Sequence, residues 1–196
     1  MKIKILLLIT LFFNGLWATT YENGEDASDW TISDNRPSGA TVNSVVDNGN
    51  NVIEFNGSGV RNAYLLGDKR DSSDAWSNDE AKKIKWSMKF NKSFRISVFV
   101  ETTKGPRVLY YDNRSSKSKR RTKIHYGLGS DSSNGEWKTI TRDLESDIQE
   151  FESDNELEMV YGFEVRGNGM VDDILLFNSI VPPAIDPTTI PITIFD

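Results

Sequence analysis

IKWSMKF at residues 84–90 and FRISVFV at residues 94–100 decide the fold of this 196-residue chain. In the first segment apolar residues alternate strictly with Lys and Ser, and the second alternates in the same way except at Phe99. Successive side chains of a strand point to opposite faces, so this period of two predicts strands with one buried face. Asn91, Lys92 and Ser93 between the segments are typical of a hairpin loop.

The same pattern recurs along the chain at short spacing, with Gly, Asn, Asp and Ser at the joints. About ten short strands of this kind favour an all-β fold, a jelly-roll β-sandwich of two antiparallel sheets, over alternating β and α units. One short helix is predicted from Asp143 to about Glu152, because Leu144, Ile148 and Phe151 form a single apolar stripe. The other strands are predicted at 41–46, 51–55, 60–66, 107–111, 123–128, 137–142, 157–165 and 171–177.

The two ends of the chain differ from this middle. Lys2 and Lys4 precede an apolar run, and a break with the small residue Ala18 follows it. This order predicts a signal peptide over residues 1–18, and hence export to the periplasm, cell surface or medium. The apolar run is too short to span a bilayer. Residues 19–179 then form the β-sandwich domain, and the proline-rich residues 180–196 are typical of a tail or linker.

Composition excludes several classes of function. The chain has no cysteine, which removes thiol nucleophiles and thiolate metal sites, and its one histidine, His125, limits zinc and triad chemistry. The net charge is −6, and loss of Lys2 and Lys4 leaves 21 basic residues against 29 acidic ones. An acidic protein repels nucleic acid phosphates, so no nucleic acid partner is expected. The chain is expected to be a monomer or one module of a larger protein.

Acidic residues stand at both ends of the predicted domain. Glu22 lies near the start of the mature chain, and Asp172 and Asp173 interrupt an apolar strand near its end. Two adjacent residues of a strand face opposite ways, so one of the two aspartates should point inward. If the first and last strands pair, these carboxylates meet, and calcium is the cation that oxygen ligands suit. The alternatives are solvated acids, or an aspartate that accepts bonds from backbone N–H groups.

These segments also carry a resemblance. The opening Tyr-Glu-Asn-Gly of residues 21–24, Trp30, and the closing Val-Asp-Asp-Ile-Leu-Leu of residues 171–176 resemble the ends of galactose-binding-like jelly-roll carbohydrate-binding modules. The resemblance implies a structural calcium held by Glu22 and Asp173. The middle of the chain is similar to uncharacterised domains of secreted bacterial proteins, and no activity is implied by them.

A glycan site needs a flat ring face and a few polar groups. Arg107, Tyr111 and His125 lie on two strands that we expect to pair as a hairpin, and Trp76 stands in a loop beside Asp74. These four residues are the predicted ligand-binding residues. The alternative is that the aromatic rings pack inside the protein, as we expect for Trp86 and Trp137 from their alternation.

Between those two strands lies a basic run, with six Lys or Arg among residues 114–123. At the mouth of a sugar site it would favour an anionic polysaccharide. The simpler interpretation is a solvated loop, with the acidic residues 143–158 as an internal partner.

Three functions remain open. The first is a non-catalytic carbohydrate-binding module with a structural calcium, which fits the fold and the lack of a nucleophile constellation. The second is an extracellular structural domain without a small ligand. The third is a jelly-roll polysaccharide lyase, in which Tyr or His abstracts a proton and Arg neutralises the acid group.

Overall fold

The computed structural model describes residues 18–178. The predicted signal peptide, apart from Ala18, and the predicted proline-rich tail lie outside the described residues. Thirteen strands, one α-helix and two short 3₁₀ turns make up this region. The strands are β1 (Ala18–Glu22), β2 (Trp30–Asp34), β3 (Thr41–Asp47), β4 (Asn50–Asn56), β5 (Ala63–Gly67), β6 (Lys83–Phe90), β7 (Arg95–Thr102), β8 (Arg107–Asp112), β9 (Lys117–Arg120), β10 (Lys123–Gly127), β11 (Lys138–Asp143), β12 (Leu157–Arg166) and β13 (Gly169–Phe177).

The strands form two sheets that face each other. The first sheet has the order β11-β6-β13-β4-β3, and β1 adds to β13 beside β4. The second sheet has the order β2-β5-β12-β7-β8-β10-β9. The predicted all-β sandwich of two sheets with one short helix is confirmed.

The core lies between the sheets, and the period of two places it there. Ile84, Trp86, Met88 and Phe90 alternate with half-exposed neighbours along β6, and all four are at most 1% exposed. They pack against inward residues of the second sheet; the ring of Trp86, for example, lies 5.7 Å from that of Phe163. Burial of large apolar side chains contributes roughly 1.5–3 kcal/mol each, so this layer supplies most of the stabilising free energy.

The first and last strands pair as expected. β1 runs antiparallel to β13, with Ala18 opposite Phe177 and Glu22 opposite Ile174. The pairing shifts at a bulge between Thr20 and Glu22. The opening and closing segments therefore lie side by side at one end of the first sheet.

Two predicted hairpins are wrong. Residues 91–93 do not join paired strands: β6 belongs to the first sheet and β7 to the second, so this segment crosses between the layers. Both strands bury an apolar face in the same core from opposite sides, and Phe90 stacks on Phe94 across the corner. β8 and β10 pair in parallel, because the chain first forms β9, which lies outside β10 and pairs with it antiparallel. The second sheet is therefore not purely antiparallel.

The helix α1 (Leu144–Gln149) is shorter than predicted but lies in the predicted place. Asp143 caps its start by accepting a hydrogen bond from the Ser146 N–H at 3.0 Å, which satisfies a free helix donor. Leu144 and Ile148 are fully buried, so the apolar stripe packs on the end of the sandwich. Within residues 18–178, no helix is both long enough and apolar enough to cross a lipid bilayer.

Candidate functional site

The outer face of the second sheet carries a cluster of cationic and aromatic side chains. Tyr110 on β8 lies opposite Ser97 on β7 and opposite His125 on β10. Directly opposite residues point to the same face, so these three side chains share the surface away from the core. We call this region the Tyr110 surface, and its other members are Arg95, Asp112, Arg114, Arg120 and Lys123.

Tyr110 is half-buried between two neighbours. The guanidinium carbon of Arg95 lies 5.1 Å from the centre of its ring, and the His125 ring stacks on it at 4.8 Å. A cation over an aromatic face contributes about 0.5–1 kcal/mol at an exposed site. These contacts hold the tyrosine ring in a fixed position on the sheet.

A carboxylate next to this stack fixes two further groups. Asp112 accepts hydrogen bonds from His125 Nε2 at 2.9 Å and from Arg114 Nη2 at 2.6 Å. Burial acts to raise the pKa of Asp112, but the hydrogen bonds from Arg114 and His125 outweigh it and leave the pKa lowered. Asp112 is therefore ionised at neutral pH. The side chain of Arg114 is 56% exposed, so its outer edge faces solvent.

The alternation of β9 divides the basic run between the two faces of the sheet. Lys117 and Lys119 face the helix end of the sandwich, where they pair with Glu150 and with Glu152, the latter at 2.8 Å. The predicted acidic partner of the basic run is therefore confirmed for these two lysines.

The rest of the run faces solvent. Arg120 lies opposite Lys123 on the outer face, and Arg121 stands at the turn between them with φ +55°. All three side chains belong to exposed residues. The positive charge of the Tyr110 surface thus continues to the edge of the sheet.

Three of the predicted ligand-binding residues lie in structural contacts. Arg107 is 8% exposed, and its guanidinium donates to Glu152 at 2.7 Å and to three backbone carbonyls. Tyr111 is fully buried and donates to Asp147 at 2.8 Å, and burial raises its pKa well above the usual value. His125 is 2% exposed beneath Tyr110. We therefore do not count Arg107 or Tyr111 in the site, and His125 belongs to it as the support of a ring.

Trp76 lies in a separate groove near β1. Its ring stacks on Tyr21 with 4.0 Å between centres, and its backbone N–H donates to the Tyr161 carbonyl at 2.9 Å. The groove has a volume of about 580 Å³, and Asp29, Asp68 and Asp74 line it. The structure does not bring Trp76 together with the Tyr110 surface, and its role in ligand binding stays a prediction.

The predicted metal ligands separate into a buried pair and an exposed residue. Glu22 and Asp172 are each 5% exposed, whereas Asp173 is exposed and has φ +54°. Asp172 follows the core residue Val171 and lies opposite Ser87, so it faces the outer side of the first sheet, where Asn50 of the β3–β4 turn covers it. The resemblance implied Asp173 as the ligand, but it is Asp172 that is buried and whose charge acts on Glu22.

Both buried carboxylates accept hydrogen bonds from neutral groups. Glu22 accepts from the Gly24 N–H at 2.6 Å and from the Trp30 indole at 2.5 Å. Asp172 accepts from the Asn50 amide at 2.7 Å and from the Asp173 N–H at 2.8 Å. Burial is the main cause that raises the pKa of each, and the charge of Asp172 raises that of Glu22 further. The two carboxylates therefore repel each other in a poorly solvated place.

This donor set is made of oxygens that suit a hard cation such as calcium, which binds carboxylate, amide and backbone oxygens together. Within the described part of the chain, no three or more His, Cys, Asp or Glu side chains cluster closely enough to hold a metal. A cation here would thus need neutral oxygens beside Glu22 and Asp172.

The sequence analysis did not predict Tyr110 and Arg95 as site residues, although the strand alternation shows that both face outward. Leu109 is apolar and belongs to the core, so its strand neighbour Tyr110 must face outward and Tyr111 inward. In β7 the alternation of residues 94–100 places Arg95 and Ser97 on the outer face, but it does not report that β7 lies beside β8, which brings Arg95 to Tyr110.

A comparison with protein-family models identifies the chain. Residues 49–160, more than half of the sequence, match the model of the D-glucuronyl C5-epimerase β-sandwich domain. The chain belongs to this family. The matched part of the D-glucuronyl C5-epimerase β-sandwich domain contains the whole Tyr110 surface, whereas Glu22 and Asp172 lie outside it.

Solved structures give likenesses of fold only. The family 11 carbohydrate-binding module from Clostridium thermocellum, in complex with a β-1,3-1,4-mixed-linked tetrasaccharide, is 12% identical with a TM-score of 0.48, over 83% of this chain and 96% of that one. A family 30 carbohydrate-binding module is 9% identical with a TM-score of 0.40, over 88% of each chain. A module from Cellvibrio mixtus lichenase 5A in complex with cellotriose is 9% identical with a TM-score of 0.36, over 83% of this chain and 98% of that one. No curated protein sequence matches this β-sandwich domain.

Proposed function

We propose that this domain is a non-catalytic module that binds an anionic polysaccharide through the Tyr110 surface. The observation that carries the proposal is the concentration of exposed cationic groups around one fixed tyrosine ring, in a chain of net charge −6. Arg95 and Arg114 flank the ring, and Arg120 and Lys123 extend the positive charge to the sheet edge.

The chemistry of this surface fits an acidic sugar chain. A guanidinium pairs with a carboxylate in a planar, bidentate way, and the hydroxyl of Tyr110, whose ring lies between Arg95 and His125, can hydrogen-bond a sugar hydroxyl. The family model is named for an enzyme that acts on D-glucuronyl residues, which carry a carboxylate on each ring. We therefore expect a glucuronate-containing polysaccharide as the ligand.

The test compares two double variants that remove the same charge from the same hairpin. Arg120→Ser/Lys123→Ser removes two cations from the outer face, and Lys117→Ser/Lys119→Ser removes two cations that pair with the helix end. We expect the first variant to lose about tenfold in affinity for hyaluronan, measured by affinity electrophoresis, and the second to change little. Equal losses in both variants would reduce the effect to general charge, and no binding by the wild-type protein to hyaluronan, alginate, pectin or heparin would remove the proposal.

The salt dependence and the absence of turnover complete this test. Binding carried by paired charges weakens as ionic strength rises, because screening shortens the range of the attraction. Ultraviolet absorbance of the same mixtures reports unsaturated sugars, which a lyase would release. A rise in absorbance would contradict the non-catalytic role.

We also propose a structural calcium ion held by Glu22 and Asp172. The support is the pair of buried carboxylates that accept hydrogen bonds from neutral groups, near the place where the first and last strands meet. The ion would supply positive charge that neutralises this pair and would tie the opening strand to the closing one. Its test is a melting curve with calcium and with chelator, described in the Discussion.

Export follows from the predicted signal peptide at residues 1–18. The expected result is a mature chain that begins shortly after Ala18, and N-terminal sequencing of the protein recovered outside the cytoplasm checks it. An N-terminus at Met1 in that material would contradict it.

A further inference from the structure

The outer face of the first sheet carries a tryptophan that packing does not explain. Trp137 directly precedes β11, and its alternation with Lys138 predicts a place in the core. The structure places it half-buried on the opposite, solvent side, level with Lys89 of the neighbouring strand. A half-buried indole on a sheet surface offers an apolar face to a ligand when the protein holds the ring in one orientation.

The indole of Trp137 is held in one orientation. Its Nε1 donates to Asp47 Oδ2 at 2.7 Å, and Lys89 Nζ donates to both oxygens of the same carboxylate at 3.0 and 2.9 Å. The hydrogen bond from Lys89, followed by that from Trp137, lowers the pKa of Asp47. The carboxylate therefore stays ionised at neutral pH and keeps the ring edge fixed, which reduces the ordering cost of any ligand that stacks on it.

A pocket of about 260 Å³ opens beside this ring. It lies between the β3–β4 turn, which folds over the sheet, and the strands below. Trp137 and Val52 form its apolar walls. Its polar wall consists of Asp47, Asn48, Asn50, Ser87, Asp172 and Asp173. The Asn50 amide that donates to Asp172 ties the turn to the sheet and so fixes this wall.

The lining selects the kind of ligand. A fixed indole with carboxylates, amides and a hydroxyl around it matches a sugar ring, whose C–H face stacks while its hydroxyls donate to the acids. Asp47, Asp172 and Asp173 outnumber the single cation Lys89, so a uronate would be repelled here. The volume suits one sugar unit rather than a long chain segment.

We propose that the Trp137 pocket is a second binding site, on the sheet opposite the Tyr110 surface, for an uncharged sugar unit. It does not depend on the anionic-polysaccharide proposal, because the two sites share no residue and one selects an acidic sugar whereas the other selects a neutral one. A domain with both sites would contact a polysaccharide of alternating acidic and neutral sugars, or two different chains, from its two faces.

The experiment titrates the protein with neutral oligosaccharides while the fluorescence of tryptophan is followed. The probes are gluco-, xylo- and N-acetylglucosamine oligomers. We expect one of these classes to bind, and Trp137→Ala to weaken its binding by about tenfold or more. Trp137→Phe keeps a ring in place and should retain most of the affinity.

Matched controls separate this site from the others. Trp76→Ala removes a half-buried tryptophan from the other groove, and Tyr110→Ala removes the ring of the anionic site; both should leave neutral-sugar binding unchanged. Melting curves of all variants check folding. The proposal fails if none of the three probe classes binds the wild-type protein, if Trp137→Ala binds as the wild type does, or if alginate, a polymer of uronates alone, competes for the site.

Discussion

Two regions of the sandwich, the helix end and the place where β1 meets β13, stabilise buried carboxylates in different ways. At the helix end, Asp147 is paired with Arg142, whose Nε donates to it at 2.9 Å, and Glu152 is paired with Arg107. At the β1–β13 end, Glu22 and Asp172 receive hydrogen bonds from neutral N–H groups. Neutral donors satisfy the carboxylate oxygens but do not neutralise their charge. The carboxylates at the helix end are therefore compensated by arginine, whereas the negative charge of Glu22 and Asp172 is left without a cationic partner.

The largest expected loss of stability comes from breaking the ion pair of Arg142 and Asp147 at the helix end. Arg142→Leu leaves Asp147 buried without its cation, between Tyr111 and the rest of the helix end. Removal of one partner from a buried ion pair costs about 3–5 kcal/mol, because the other charge stays desolvated. Urea unfolding measures the free energy of unfolding. The control Arg142→Leu/Asp147→Leu should recover much of the loss, and a single variant within about 1 kcal/mol of the wild type would contradict the pairing.

The next largest effect is the change in melting temperature with calcium, which tests the pair of Glu22 and Asp172. Calcium should raise the melting temperature of the wild-type protein and chelator should lower it, since an ion that binds only the folded state stabilises it by about 2.7 kcal/mol at a hundredfold excess over Kd. Glu22→Gln/Asp172→Asn should abolish the response and, in chelator, melt no lower than the wild type, because the uncompensated charge is gone. Asp173→Asn is the matched control and should keep the response. A wild-type melting curve unmoved by calcium and chelator would refute the ion.

In chelator, Glu152 and the pair of Glu22 and Asp172 should contribute to the pH dependence of stability in opposite directions. The helix end is not uniform in this respect, because burial raises the pKa of Asp147 despite its hydrogen bonds from Arg142. Hydrogen bonding from Arg107 is the main cause that lowers the pKa of Glu152 from 4.5 to about 2, so its contribution to stability is present above pH 4.5 and lost as pH falls toward 2. The pKa values of Glu22 and Asp172 are raised, so proton binding favours the folded state at low pH, and this contribution is lost as pH rises through the raised values.

Unfolding free energies over a pH series check this difference. Glu152→Gln should flatten the acid limb, and Glu22→Gln/Asp172→Asn should flatten the decline at higher pH. If Glu22→Gln/Asp172→Asn alters the acid limb and leaves the decline at higher pH unchanged, the predicted difference is wrong.

The smallest effect concerns exposed pairs at the helix end. Lys117→Ser/Lys119→Ser removes the cation that is paired with Glu150 and one of the two cations that are paired with Glu152. The side chains of Lys117 and Glu150 are 56% and 42% exposed, and exposed pairs contribute about 0–1 kcal/mol. Urea unfolding should therefore show a loss below about 1 kcal/mol. A loss as large as that of Arg142→Leu would mean that exposure does not distinguish the pairs.

Much of the fold could be predicted because period two reports which residues share a buried face. It located ten of the strands, the helical spacing of Leu144, Ile148 and Phe151 located the helix, and the jelly-roll fold implied that the first and last strands meet. Period two does not report which sheet a strand joins, so the crossing at residues 91–93 was mistaken for a hairpin. β9 carried no signal at all, since all four of its residues are exposed and nothing alternates.

The candidate sites were less predictable for related reasons. Asp172 is buried on the outer side of the sheet by the β3–β4 turn, and a bulge between Asp172 and Leu175 follows it; neither feature leaves a clear trace in sequence. Tyr110 and Tyr111 are neighbours of the same type, and only the buried position of Leu109 separates their faces. Trp137 follows the alternation of a core residue but lies at an edge where the β3–β4 turn folds over the sheet.

The position of β10 between β8 and β9 sets the order in which this corner of the molecule assembles. β9 precedes its partner in the chain, and within the described residues it pairs only with β10. During synthesis, β9 therefore has no strand to pair with until residues 123–127 have emerged. β10 then pairs with β8 on one side and with β9 on the other. A circular permutant with its new termini between Arg120 and Lys123 would lack the covalent turn that joins β9 to β10. We expect this permutant to keep the sandwich but to lose the position of Arg120 on the Tyr110 surface.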